Sequence, residues 1–179
     1  MYDEPVDRSG ELRLPTLIVS VRLSLIGQAP RGAELFVADV SRRGRSHLLD
    51  DLAAVLDGDA GFVPVRVDGE VRLLSKHAIA WIAVRRRRGD EPPADDFPEE
   101  LSDAAALYDR QHHVSIELAH GPGLTGLLLD SSPVDRSRVI DHLNRQGEFV
   151  RLWTSEEHML VNKREIVSVT ELAEPEAQE

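Results

Sequence analysis

Leu73-Leu74-Ser75-Lys76-His77-Ala78-Ile79 and Leu160-Val161-Asn162-Lys163-Arg164-Glu165-Ile166 decide how this chain is read. Each stretch holds one of the only two lysines among 179 residues, at the same place of one pattern. A short, diverged repeat fixes architecture before any single motif does. Worked outward from the lysines, Phe62-Val63-Pro64-Val65 falls on Phe149-Val150-Arg151-Leu152 without a gap. Further upstream, Arg45-Ser46-His47-Leu48-Leu49-Asp50-Asp51-Leu52 falls on Arg136-Ser137-Arg138-Val139-Ile140-Asp141-His142-Leu143. Val19-Ser20-Val21-Arg22-Leu23 aligns with Val114-Ser115-Ile116-Glu117-Leu118.

The periodicities inside one copy give its elements. Leu17, Val19, Val21, Leu23 and Leu25 alternate with polar residues, the period of a half-buried strand. A Gly/Pro-rich turn and Leu35-Phe36-Val37-Ala38 complete a hairpin. Leu48, Leu49, Leu52, Val55 and Leu56 share one face of a short helix, with Ser46 (Ser137 in the second copy) as its N-cap. Three short strands follow, over 62–67, 70–74 and 78–84, matched by 149–154, 158–162 and 165–170. The expected class is α+β, a tandem repeat of two small ββαβββ domains. A unit of about 65 residues buries only about 60% of its unfolded surface, so the copies are expected to pack together as a pseudo-dimer, either by sheet extension or by helix-face contact.

This reading divides the chain into an acidic N-terminus (1–12), a first copy (13–86), a charged, proline-containing linker with a short helical stretch (87–110), a second copy (111–172) and an acidic tail (173–179). Both tails are expected to be disordered. Most of the formal net charge of −11 lies outside the copies, in the tails and the linker. Such runs solvate a protein, and an acidic chain is a poor partner for nucleic acid. With no cysteine there is no disulfide framework, thiolate metal site or cysteine nucleophile. No apolar run approaches the roughly 20 residues that span a bilayer, and no secretory signal is visible. A cytoplasmic protein is expected. Arginine outnumbers lysine heavily, as in proteins from GC-rich bacterial genomes.

Several motifs carry a chemical and a structural reading. Lys76 and Lys163 could be paired anion or carboxylate contacts, or turn lysines whose ammonium bonds carbonyls or a carboxylate of their own copy. Gly121-Pro122-Gly123-Leu124-Thr125-Gly126 spells GxGxxG, but Leu127-Leu128-Leu129 reads as a strand rather than the helix a dinucleotide site needs. No cofactor is expected. Asp39-Val40-Ser41-Arg42-Arg43-Gly44 matches the DxSxxG string of PilZ domains, a resemblance that implies cyclic di-GMP binding; the upstream arginine pair of that family is lacking. His112, His113 and His120 do not share a strand face, and no Cys or HExxH supports a metal. No serine elbow or spaced triad marks a catalytic residue.

The framework also resembles a group of small uncharacterised bacterial domains with a Phe-Ile-Pro-Leu … Leu-Asn-Lys-x-x-Ile run, Ser75 standing in the Asn place of the first copy. That resemblance supports the boundaries of the copies and implies no activity. The expected function is a non-enzymatic adaptor or regulatory module that binds a protein partner, with a homodimer allowed. Arg42, Arg43, Arg45 and an exposed Trp153 are the expected contacts, together with Lys76 and Lys163. The rival readings are an anion sensor using Arg42, Arg43 and Arg45, and an enzyme with its site between the copies.

Overall fold

A computed structural model describes residues 16–38, 48–85, 110–130 and 138–173. The alternating stretch forms β1 (Thr16–Leu25), paired antiparallel with β2 (Arg31–Ala38). Val19 stands opposite Leu35 and Val21 opposite Ala33, so the apolar set of both strands lies on one buried face. Helix α1 (Leu48–Asp57) lays Leu52, Ala53 and Leu56 onto that face. Strands β3 (Phe62–Val67) and β4 (Glu70–Ser75) are joined at Asp68-Gly69, both at positive φ, the two-residue turn that matches strand twist. A 3-10 turn, Lys76–Ala78, leads into β5 (Ile79–Arg85).

The second half runs β6 (Arg110–Leu118), β7 (Leu124–Asp130), α2 (Val139–Leu143), β8 (Phe149–Trp153), β9 (Glu157–Asn162), a 3-10 turn (Lys163–Glu165) and β10 (Ile166–Glu171). The ten strands form one sheet in the order β10-β6-β7-β8-β9-β5-β1-β2-β3-β4, and every pairing is antiparallel. The described fold is therefore strand-rich, with few helices, and none of those helices is long and apolar enough to cross a membrane. Within each half the fifth strand pairs with the first, and the chain's two halves meet where β5 pairs with β9.

Two apolar cores share that junction from opposite faces of the sheet. Ile82 and Val84 of β5 belong with the first core, whereas Trp81 and Ala83 belong to the second. Successive strand residues point to opposite faces, so this division follows from the pleat. Strand β9 divides the same way, Leu160 to the first core and Met159 and Val161 to the second. Phe149 of β8 also crosses into the first core.

Three local features depart from the periodic reading. Helix α2 has 5 residues against 10 in α1, and Arg138 rather than Ser137 occupies its N-cap position. Leu25 pairs with Ile79, and Leu118 with Ile166. Leu118 thus matches Leu25 rather than Leu23, two residues along the strand. A slip of two keeps every side chain on its face, so alternation alone leaves it undetected. The expected N-cap Ser46, the N-terminal tail, residues 174–179 of the C-terminal tail, the DxSxxG string and residues 87–109 of the linker lie outside the described residues.

Candidate functional site: the seam and the open sheet ends

The lysines sit where a helix needs donors. The last carbonyls of a helix have no partner within it, and they form the negative end of its dipole. Lys76 Nζ donates to Gly58 O at 2.7 Å, just past α1. Lys163 Nζ donates to Arg145 O at 2.8 Å, just past α2. Both bonds reach back 18 residues in sequence. Lys76 is only 3% exposed. The Lys163 ammonium is held below its ordinary pKa of 10.5 by burial first, with Asp57 pulling the other way and Arg145 adding to the fall.

The seam between β5 and β9 is sealed at both ends by side chains. Asn162 Nδ2 donates to Ile79 O at 2.8 Å, while its Oδ1 accepts from Arg164 N at 3.0 Å. One buried amide thus fastens the end of β9 to the start of β5. Asp57, at the end of α1, accepts from the backbone N–H of Glu148 at 2.7 Å and of Phe149 at 3.3 Å. Gly147 makes room for that carboxylate: a Cβ there would lie 2.9 Å from Asp57 Oδ2, and its φ is +104. Arg22 reaches across β5 to Glu157 at 2.9 Å and lies over the Trp81 ring. Arg164 bonds His77 Nδ1 at 3.0 Å and Glu148 at 3.1 Å, tying the two 3-10 turns together.

The remaining sequence candidates resolve individually. Trp153, expected to be exposed, is half-buried, its ring centroid 3.7 Å from that of His158. Residues 121–126 form the β6–β7 loop and the start of β7 instead of opening a helix. Gly126 passes so close to β8 that a Cβ would meet the Trp153 carbonyl, which gives the last glycine of the run a packing role. His112 of β6 pairs with Glu171 of β10 at 2.8 Å, and His120 in the β6–β7 loop pairs with Glu165 of the 3-10 turn at 2.9 Å, two separate pairs. Among the described residues no group of three or more His, Cys, Asp and Glu could hold a metal. Arg42, Arg43 and Arg45 lie outside the described residues.

What the sequence reading missed is the pair of bare sheet ends. Among the described residues, strand β4 bonds only β3, and β10 only β6. Leu73 on β4 is 72% exposed, yet Leu160, its match on β9, is 1% exposed. Phe62 is 61% exposed against 6% for Phe149. Val71 is also bare at the β4 end, and Ile140, Val167 and Leu172 are exposed in the second half. The alignment had already paired Phe62 with Phe149 and Leu73 with Leu160. Only the strand order shows that β9 has β5 on its outer side, which brings Phe149 and Leu160 onto the first core, while β4 has no second partner among the described residues. Comparison with protein-family profiles, curated proteins and solved structures gives no match.

Proposed function

We propose that the chain is a tandem pair of ββαβββ units joined edge to edge, and that it works as a non-enzymatic, cytoplasmic protein-binding module through the open ends of its sheet. One observation carries this reading: Phe62 and Leu73 stand bare on the surface that Phe149 and Leu160 use to pack against a neighbouring core. An open strand edge offers a row of unpaired N–H and C=O groups, a template for adding another strand. Contiguous exposed apolar side chains beside such an edge mark an interaction surface. The edges are not blunted by lysine, since both lysines are engaged at helix ends. A cysteine-free chain needs no oxidising compartment.

The test is site-specific photo-crosslinking in native cells, with the reactive group at position 73 and a control at Ile18, which is exposed away from both ends. Protein adducts at 73 and none at 18 support the reading. An absence of protein adducts at 73, at 62 and at 167 alike would sink it.

A further inference from the structure

We propose that the partner at the open ends is a second copy of this chain, β4 of one molecule pairing antiparallel with β10 of the next. The inference rests on the protein-binding reading above and names its occupant. Its warrant is the internal seam. There the fifth strand of the first half, β5, takes the fourth strand of the second half, β9. Among the described residues the strands with one side open are the fourth of the first half, β4, and the fifth of the second, β10. The two ends left over are therefore the two sides of a joint the protein already makes once.

The register follows from the shift that places Lys76 on Lys163. Internally Ile82 stands opposite Leu160 and Trp81 opposite Val161. Between molecules, Val169 would stand opposite Leu73 and Ser168 opposite Leu74. Leu73 then enters the second core as Leu160 enters the first, beside Val169, which is half-buried against that core. Helix α1 reaches β8 at the internal seam through Asp57. Helix α2, with Ile140 bare, is its counterpart at the open end and would receive Phe62.

The outer joint is weaker than the inner one. Ser75 replaces the Asn162 amide, and Ser168 and Thr170 replace the buried Trp81 and Ala83. Association is accordingly reversible. A joint between unlike surfaces repeats, and it ends in a closed ring or an open chain according to the rotation at each step. The bare ends of one molecule do not cover each other, because Leu73 and Phe62 are exposed in the single chain.

Sedimentation velocity of the full chain tests this with two variants at exposed positions, Leu73→Arg at one end and the double variant Ile140→Arg, Val167→Arg at the other. Circular dichroism first establishes that each keeps the wild-type fold, and Leu73→Ser serves as a milder version. The wild type gains mass as its concentration rises from about 1 to about 100 µM. Each variant alone stays monomeric. Their equimolar mixture gives a dimer and nothing larger, because each contributes one intact end. A wild type that stays monomeric throughout, or a mixture that fails to pair while the wild type associates, overturns self-assembly. Should a monomeric wild type still crosslink a foreign protein at position 73, the binding reading survives and only the choice of partner falls.

Discussion

The side-chain amide of Asn162 donates to the carbonyl of Ile79 at 2.8 Å, bonding across the seam two residues that stand 83 apart in sequence. Asn162 is 1% exposed and makes a bond with each side of its amide. Removing one partner of a buried pair leaves the other unsatisfied, at about 1–3 kcal/mol. Asn162→Ala should lower the unfolding free energy by that amount in a urea titration. Asn162→Ser, the residue found at the matching position 75, should fall between the two.

Leu160 and Leu73 offer the same side chain in two environments. Leu160→Ala empties a buried site and should cost about 2–5 kcal/mol. Leu73→Ala in the dilute, monomeric protein should stay within about 0.5 kcal/mol of wild type. Equal effects in denaturant unfolding would mean that the β4 end is covered within the single chain.

Gly147 combines a φ of +104 with the close approach of the Asp57 carboxylate. Alanine there meets a backbone conformation side chains rarely adopt, worth about 1–3 kcal/mol, and it also pushes on a bond acceptor at the seam. Thermal unfolding should shift down for Gly147→Ala. Asp57→Gly in the same background should recover little, since Glu148 N and Phe149 N then lose their acceptor.

Lys163 titrates below 10.5, chiefly because folding buries its ammonium. Between its folded pKa and 10.5 the unfolded chain binds more protons than the folded one, so this group makes stability rise with pH across that window. The gain is complete above 10.5. With only two lysines present, nitrogen NMR resolves the titration directly. Asp57→Asn removes the charge that opposes the shift and should lower the Lys163 pKa further.

Lys76 is a stricter case, buried with its ammonium on Gly58 O at 2.7 Å. A guanidinium is larger and planar, so Lys76→Arg should destabilise the protein although the charge is kept. Lys163→Arg, at a more open site, should be milder. Matched thermal shifts for the two would contradict the difference in burial.

The strands were legible because alternation and Gly-containing turns are local signals, as β1 and the Asp68-Gly69 turn show. That each lysine bonds within its own copy was legible as one reading of a turn lysine, but the helix-end carbonyl acceptors, 18 residues back in sequence, were not. The two-residue slip between β1 and β6 was not, since it moves no side chain to another face. Trp153 read as exposed because the sequence carries no sign of the tilted ring contact it makes with His158. The open ends were invisible for a different reason. Whether a strand has a neighbour depends on sheet order, and Phe62 and Phe149 look alike until β8 is placed beside the first core.

The division of β5 and β9 between two cores has a practical corollary. Phe149 and Leu160 complete the core of the first half, and Trp81 and Ala83 that of the second. Each half therefore carries missing pieces of the other, and neither is a self-sufficient body. Two polypeptides cut anywhere within 86–109 should find each other in solution and rebuild the native spectrum, each remaining poorly ordered alone. The protein would then behave as a natural complementation pair, its covalent link supplying effective concentration.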